Sequence, residues 1–267
     1  MNAMTLNERW VLVTGASSGL GKAIAEQLAR DHRANLVLVA RRLDRLQELQ
    51  NSLQSQYGVK VCVVQADLQK PEDVDRVYRD AIAAGDIYAL VLNAGITYFG
   101  RYEAMPWETF ESMLATNVTS VIRLVHLFLP YLKQKNQGGG LMLVSSMAGF
   151  LAVPYQTAYA GTKAFITNFG MSLYQELRGQ NISVTVFSPG GIATEMTTNS
   201  GLAAQFENTP FLQSAEECAN DALTAMVQRQ HVHVPGFLNK AQLLLSRAVP
   251  RKLLGFIAAN AYRKALT

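Results

Sequence analysis

Tyr159 and Lys163 are the two residues whose types and spacing most clearly suggest chemistry. They lie four residues apart in a stretch of helical periodicity, so both side chains project from the same face of the predicted helix. A phenol with a pKa near about 10 is a poor acid or base at neutral pH, but a nearby ammonium group brings that pKa toward the working range. The pair therefore predicts proton exchange between Tyr159 and a substrate.

A serine hydroxyl precedes this pair at the end of a predicted strand. Ser146 lies thirteen residues before Tyr159, and its hydroxyl would steady a substrate oxygen as negative charge develops on it. Ser145 is the alternative that the residues alone leave open.

A second Tyr-x-x-x-Lys match occurs earlier in the chain. Tyr131 and Lys135 have the same spacing, but they follow Pro130 at the end of a helix, and the position thirteen residues before Tyr131 is Val118. We therefore exclude this pair from catalysis.

A glycine-rich turn, Thr14-Gly-Ala-Ser-Ser-Gly-Leu-Gly21, follows the first predicted strand and opens the first helix. Exposed backbone N–H groups and the positive end of a helix can bind a pyrophosphate there. Twenty residues past Gly21, where an acidic residue would bind the ribose of NAD, the chain has Arg41 and Arg42. Arginine can pair with a 2′-phosphate, which predicts NADPH/NADP+ and makes NADH the lesser candidate. The alternative is a pair of surface arginines.

Apolar runs and amphipathic stretches alternate along the chain and must position these residues. The predicted strands span 10–15, 35–40, 59–66, 88–95, 140–146 and 182–190, and the predicted helices span 20–32, 43–56, 71–84, 106–134 and 156–178. This alternation predicts an α/β fold, a doubly wound Rossmann fold whose mainly parallel sheet has helices on both faces. We expect one domain, with a core at about 9–190, a substrate lid at about 194–213 and a helical tail at about 235–267.

The chain resembles the short-chain dehydrogenase/reductase family over about residues 9–195. Five motifs occur in that family's order and spacing: TGASSGLG at 14–21, NAG at 93–95, Ser146, YAGTK at 159–163 and PGGIAT at 189–194. One departure is Leu92, which replaces the first Asn of the usual NNAG. The resemblance favours Ser146 over Ser145.

The same resemblance implies roles that the residues alone do not. Asn117 would be the fourth catalytic residue, holding a water next to Lys163. Lys163 would also bind the nicotinamide ribose, while Ile192 and Thr194 would engage the carboxamide. Asp67 would contact the adenine; its alternative role is a helix cap. The expected cofactor contacts are Gly15, Ser17, Ser18, Gly19, Leu20, Gly21, Arg41, Arg42, Asp67, Leu68, Asn93, Ala94, Gly95, Tyr159, Lys163, Pro189, Gly190, Ile192 and Thr194.

Apolar residues surround the predicted catalytic positions. They are Phe150, Leu151, Val153, Pro154 and Tyr155 after the serine, and Met196, Leu202, Phe206, Phe211 and Leu212 in the expected lid. Few charged groups are available to hold a polar substrate, so we expect a hydrophobic ketone, aldehyde or 3-oxoacyl compound. Packing of the lid on the body is the alternative use of these residues.

Charge is distributed unevenly. The chain has a formal net charge of +4, yet six Lys or Arg and no Asp or Glu follow His231, so the first 230 residues carry a net −2. The tail could cover the active site, form a subunit interface or lie on an anionic membrane. No nucleic-acid motif accompanies the charge.

Composition and cysteine use limit the remaining possibilities. No secretory signal precedes the first strand, which predicts a cytoplasmic protein; a location peripheral to a membrane is the alternative. Cys62 and Cys218 are expected to be free thiols, and no metal site is predicted.

The family resemblance implies a homodimer or homotetramer. The alternatives to an enzyme are a non-catalytic NADPH-binding regulatory or scaffold protein and a peripheral membrane protein. Nucleotide-sugar chemistry would need a larger C-terminal domain.

Overall fold

A parallel sheet forms the centre of the protein. The computed structural model describes residues 2–200, 212–246 and 248–263. The strands are β1 (Trp10–Thr14), β2 (Asn35–Ala40), β3 (Val61–Gln65), β4 (Ile87–Leu92), β5 (Gly139–Val144), β6 (Ile182–Phe187), β7 (Gly191–Ile192), β8 (Leu212–Gln213) and β9 (Val232–His233). Seven of them form one sheet in the order β3-β2-β1-β4-β5-β6-β9, and β7 pairs with β8 separately. The order reverses between β1 and β4, which is where α/β sheets open a crevice for ligands.

Helices cover both faces of this sheet. They are α1 (Gly19–His32), α2 (Leu43–Tyr57), α3 (Pro71–Ala84), α4 (Trp107–Leu114), α5 (Ser120–Lys135), α6 (Thr157–Glu176), α7 (Glu195–Asn199), α8 (Ala215–Val227), α9 (Phe237–Ser246) and α10 (Arg251–Arg263). One buried apolar cluster joins the sheet to α1, α2 and α8, and a second joins the other face to α3, α5 and α6. The predicted doubly wound fold is confirmed.

The strands are buried on both faces, as their continuous apolar sequences predict. All residues of β4, β5 and β6 are buried. The predicted runs extended past the observed ends of β4 and β5 because Asn93, Ser145 and Ser146 leave the ladder for the loops at the carboxyl edge. The two-residue strand β9 was not predicted, since a run that short carries no periodicity.

The long helix predicted at 106–134 is interrupted. Residues Ala115–Thr119 form a π-helical turn between α4 and α5. The side chain of Asn117 accepts a hydrogen bond from the Ile96 N–H (2.8 Å) and donates one to the Ile96 carbonyl (2.9 Å). These bonds to a neighbouring loop accompany the widened turn, and such turns are frequent at functional sites.

One helical run passes a length and composition test for a membrane span. It is Trp107–Lys135, and half of its most apolar window is buried inside the protein. Val121, Leu124 and Phe128 pack into the cluster below the sheet. The run is therefore accounted for as a core helix, whose apolar face contacts protein.

Candidate active site

A large cleft opens at the carboxyl ends of β1, β4, β5 and β6. Its volume is about 1840 Å³. It is lined by most of the residues predicted to bind cofactor or substrate, with Gly21 and Asn117 the two site residues that lie beneath its surface. Gathering residues from five separate motifs into one cleft is possible because parallel strands end at a common edge.

The glycine-rich turn forms the floor of one end of this cleft. Gly15 adopts a left-handed backbone (φ 69°), which glycine tolerates far better than other residues. A Cβ placed on Gly21 would lie 2.3 Å from the carbonyl oxygen of Gly15, so a side chain there would push the turn away from α1. The turn thus keeps bare backbone facing the cleft at the start of a helix, which fits a pyrophosphate.

Arg42 reaches over this turn. Its guanidinium donates to the hydroxyls of Ser17 (3.1 Å) and Ser18 (2.6 Å). It also forms an ion pair with Glu195 at the start of α7 (2.8 Å), and Arg45 holds the other oxygen of that carboxylate at 2.6 Å. These two guanidinium groups hold the pKa of Glu195 down at about 2. Glu195 was missed by the sequence analysis, because only the fold brings residues 42 and 195 together.

The strand ends are tied to one another beside the glycine turn. The Thr14 hydroxyl accepts hydrogen bonds from the N–H groups of Asn93 and Ala94, each at 3.0 Å. The Asn93 side chain donates to the Thr14 carbonyl at 3.0 Å. Asp67 lines the cleft and accepts from the Gln69 N–H (3.2 Å), while α3 begins further on, at Pro71.

The residues predicted for catalysis lie together at the other end of the cleft. Tyr159 and Ser146 both line the cleft there, and the Ser146 side chain is close enough to influence the pKa of Tyr159. The Lys163 ammonium lies 5.7 Å from the centre of the Tyr159 ring and donates to the Val144 carbonyl at 2.9 Å. Ser146 follows β5 and its hydroxyl accepts from the Ala148 N–H at 3.1 Å, so the hydroxyl is fixed by the turn that begins there.

The structure distinguishes the two candidate serines. The Ser145 side chain is buried and bonded to the Lys163 carbonyl (2.9 Å) and the Thr167 hydroxyl (2.7 Å). Its hydroxyl therefore secures α6 against β5. Ser146 is half-buried and lines the cleft together with Tyr159.

Burial dominates the ionisation of this cluster. It raises the pKa of Tyr159, against a smaller lowering by the Ser146 side chain. It also lowers the pKa of Lys163 to about 8. We expected Lys163 to lower the pKa of the Tyr159 phenol. In the protein without cofactor, desolvation has the larger effect, because it penalises the charged forms of both groups.

Asn117 lies next to Lys163 without lining the cleft. A Cβ placed on Gly95 would lie 3.3 Å from the Asn117 side-chain oxygen and 3.4 Å from the Lys163 nitrogen, so all three converge. The Asn117 amide also donates to the Thr162 hydroxyl at 3.1 Å. Its side chain therefore connects the loop after β4 to the helix that carries Tyr159 and Lys163.

The second Tyr-x-x-x-Lys pair lies at the opposite edge of the sheet. The Tyr131 hydroxyl accepts from the N–H of Ile87, the first residue of β4, at 3.1 Å. Lys135 forms an ion pair with Asp86. Both side chains are used in structural contacts at the amino ends of the strands.

The loop after β6 and the tail close the cleft. Pro189, Gly190, Ile192 and Thr194 all line it. Asn239 of α9 is buried, donates to the Pro235 carbonyl at 3.0 Å, and packs so closely that a Cβ on Gly190 would lie 2.8 Å from its side chain. Asn239 was not found from sequence, since one Asn on an apolar helix carries no signal.

The predicted apolar wall is only partly as expected. Phe150, Leu151, Val153 and Met196 line the cleft, whereas Pro154, Tyr155 and Leu212 do not line it within the described chain. Tyr155 has a left-handed backbone and its carbonyl accepts from the Gly100 N–H at 2.9 Å, which turns this segment away. Leu202, Phe206 and Phe211 lie outside the described residues. The tail instead supplies Leu238, Leu243, Leu254, Ile257 and Tyr262.

The fold and this site define a dinucleotide-binding oxidoreductase of the Rossmann type. Residues 9–205 match the family model described as short chain dehydrogenase. The chain therefore belongs to the short chain dehydrogenase family, and it is an oxidoreductase of the alcohol/carbonyl couple with a nicotinamide cofactor.

Individual relatives agree with this assignment. An uncharacterised oxidoreductase of Myxococcus xanthus (strain DK1622) is 35% identical over 202 residues, 75% of this chain and 79% of that one. A 7beta-hydroxysteroid dehydrogenase of Mediterraneibacter gnavus is 29% identical over 245 residues, covering 90% and 92%. The solved structure of a short-chain dehydrogenase from Sphingobium yanoikuyae in complex with NADPH has a TM-score of 0.80 and 30% identity over 91% of this chain and 96% of that one. Among curated relatives the matched share of their length falls as low as 61%.

Proposed function

We propose that this protein uses NADPH to reduce an apolar ketone, aldehyde or 3-oxoacyl compound to the alcohol. The observation that carries the proposal is the group of Ser146, Tyr159 and Lys163 beyond the end of β5, which faces a cleft with apolar walls. Lys163 is buried, and the other two side chains are half-buried. The bare glycine turn at the other end of the same cleft suits a dinucleotide.

When bound, the cofactor would supply the hydride. The glycine turn would hold its pyrophosphate, Asp67 and Leu68 its adenine, Asn93, Ala94, Gly95 and Lys163 its ribose side, and Pro189 to Thr194 its nicotinamide end. Gly19 and Thr194 lie close together, since a Cβ placed on Gly19 would be 3.0 Å from the threonine methyl. This close contact supports a narrow passage between the region that would bind the pyrophosphate and the region that would bind the nicotinamide.

Tyr159 acts as the acid in this proposal. Its raised pKa keeps the phenol protonated at neutral pH, which suits donation of a proton to a carbonyl oxygen. Ser146 donates a hydrogen bond to the same oxygen as it gains charge, and Lys163 in its ammonium form stabilises the phenolate that remains. Asn117 fixes the backbone beside Lys163 and would hold the water through which Tyr159 is reprotonated.

The cofactor preference rests on Arg42. It is a half-buried cation above the glycine turn, oriented by Ser17 and Ser18, and Arg41 lines the cleft beside it. A 2′-phosphate can take a fork-like pair of hydrogen bonds from a guanidinium, whereas the ribose hydroxyl of NADH cannot use the charge. Structural neighbours are complexed with NADPH as well as with NAD or NADH, so the proposed preference rests on the two arginines.

The apolar wall supports the substrate class. Phe150, Leu151 and Val153 on one side and tail residues on the other leave few charged groups near Tyr159. The hydroxysteroid named for the Mediterraneibacter gnavus relative is an apolar alcohol, the kind of product that reduction of an apolar ketone gives.

We also propose that the chain self-associates through α4, α5 and α6. Trp107, Leu114 and Phe165 expose large apolar side chains there (60%, 41% and 50%). Light scattering that gave a monomer at micromolar concentration would refute this part.

The test of the function is titration of the purified protein with NADPH and NADH, followed by turnover of apolar ketones, aldehydes and 3-oxoacyl thioesters. We expect tight binding of NADPH, turnover of at least one apolar substrate, and retention of cofactor binding with loss of turnover in Tyr159→Phe. Tyr131→Phe is the matched control and should turn over as wild type does. NADPH binding without turnover across the panel would favour the non-catalytic alternative, which nothing in the site geometry supports.

A further inference from the structure

The two tail helices have different inner and outer faces. Leu238, Leu243, Leu254 and Tyr262 line the cleft, and the Tyr262 ring lies 6.2 Å from that of Phe99. Through these residues the tail lies over the active site as a cover. Its outer face must then meet solvent or a partner.

That outer face is apolar. Phe237 is 83% exposed, Leu244 67%, Leu253 49% and Phe256 65%, and none of these four lines the cleft in the part of the chain described. Large apolar side chains grouped this way on one surface mark an interaction site.

The same helices are cationic. Lys240, Lys252 and Arg263 are exposed and form no ion pair with a described carboxylate. The sequence after His231 contains six Lys or Arg and no acidic residue, against a net −2 for the preceding 230 residues. The partner that complements this face is therefore anionic as well as apolar.

A second copy of the chain does not satisfy this requirement through the tail. A twofold interface places the same patch of each subunit against the other, which would bring tail cations against tail cations without acidic residues between them. An anionic lipid surface accepts both the apolar side chains and the cations.

We propose that α9 and α10 dock the protein on an anionic lipid bilayer. Phe237, Leu244, Leu253 and Phe256 enter the boundary between headgroups and acyl chains, and the cations contact lipid phosphates. Because the inner face of the same helices roofs the cleft, an apolar carbonyl compound dissolved in the bilayer reaches the site beneath the tail. This last step rests on the proposed function, whereas docking does not.

Docking is tested with the full chain and sedimented vesicles, without cofactor or substrate. We expect binding to phosphatidylglycerol/phosphatidylcholine vesicles that is at least tenfold stronger than to phosphatidylcholine alone. Leu253→Ser/Phe256→Ser and Lys240→Glu/Lys252→Glu should each lose at least tenfold. The matched controls Tyr102→Ser and Lys60→Glu alter an exposed apolar residue and an exposed cation elsewhere and should bind as wild type does.

Two results would overturn the proposal. One is equal sedimentation of wild type and both tail variants. The other is a change in oligomeric mass in the tail variants with vesicle binding unchanged, which would assign the face to a second copy.

The link to the substrate is tested separately. The tail variants should turn over a short, water-soluble ketone at the wild-type rate but lose at least fivefold with an apolar ketone delivered in anionic vesicles. Equal rates with both substrates would refute entry from the membrane. Vesicle binding by a protein that turns over nothing would leave docking standing and count only against the proposed function.

Discussion

At the scale of single residues, the ionisation of Lys163 controls the proposed reaction. Burial lowers its pKa to about 8, so the ammonium form exists below that pH and is lost as pH rises through it. The charge that stabilises the Tyr159 phenolate disappears with it, since a neutral amine offers no such attraction.

We therefore expect kcat/KM for reduction to fall as pH rises above about 8. Lys163→Arg, which keeps its charge, should move this alkaline limb upward by one pH unit or more, as guanidinium has a pKa above about 12. Lys135→Arg in the other Tyr-x-x-x-Lys pair is the control. A Lys163→Arg profile that coincides with that of wild type would refute the assignment.

If NADPH binds as proposed, Glu195 competes with its 2′-phosphate for Arg42. Its carboxylate is held by Arg42 and Arg45 at 2.8 and 2.6 Å, on the guanidinium groups that a 2′-phosphate would use. Removing its charge frees both cations for the phosphate, while NADH gains nothing from them.

Glu195→Gln should therefore lower the dissociation constant for NADPH by about two- to fivefold, the range typical of an exposed ion pair. The dissociation constant for NADH should stay unchanged. Both constants are measured by quenching of protein fluorescence. Glu26→Gln removes a carboxylate of similar exposure, paired with Lys22 at 3.8 Å, and should alter neither constant. Equal tightening for both cofactors would show that Glu195 does not act through the phosphate site.

At the scale of elements, one buried side chain attaches the tail to the cofactor loop. Asn239 is 4% exposed and lies between Gly190, the Pro235 carbonyl and Gln213 (3.0 and 3.5 Å to the last two). The position of α9 over the cleft depends on these polar contacts, because much of its apolar surface faces outward.

Asn239→Ala should loosen α9 by about 1–3 kcal/mol, the range for losing a buried hydrogen-bonding group. Hydrogen exchange of the α9 amides should speed up accordingly, while the amides of β4 and β5 keep their protection. Gln242→Ala on the same helix is the control. Unchanged exchange in Asn239→Ala would show that apolar contacts alone hold the tail.

At the scale of the whole molecule, half-buried histidines should make stability depend on pH. Desolvation lowers the pKa of His32, His231 and His233, and His231 stacks on Tyr174 with ring centres 4.0 Å apart. The unfolded chain then binds more protons than the folded one as pH falls below about 6.5, so that acidification favours unfolding.

The free energy of unfolding in urea should therefore be lower at pH 5.5 than at pH 7.5. His231→Phe keeps the ring and removes the titrating group, so its difference between the two pH values should be smaller. His126→Gln, at an exposed position, should leave the difference as in wild type. A His231→Phe variant with the full wild-type difference would exclude His231 as a source.

The sequence by itself determined the fold, and it predicted the residues that would carry the chemistry. Continuous apolar runs such as those of β4 and β5 form strands buried on both faces, and helical stretches between them allow few arrangements other than a parallel sheet covered on both sides. The glycine turn and the Tyr159 and Lys163 pair are local in sequence, so their spacing was visible without a structure. From the sequence, only the resemblance to the family distinguished Ser146 from Ser145. Two neighbouring residues at the end of a strand fit the same hydrophobic pattern, although their environments in the folded protein differ.

Tertiary structure decided what depends on contacts between distant parts of the chain. Arg42 pairs with Glu195, and Asn239 packs against Gly190, although no sequence period relates the residues of either pair. Burial by distant parts of the chain raises the pKa of Tyr159 and lowers that of Lys163. Contacts between distant parts of the chain also decided which face of the tail covers the cleft and which face remains exposed. Sequence patterns report local geometry, whereas desolvation and charge pairing depend on the three-dimensional neighbourhood of each group.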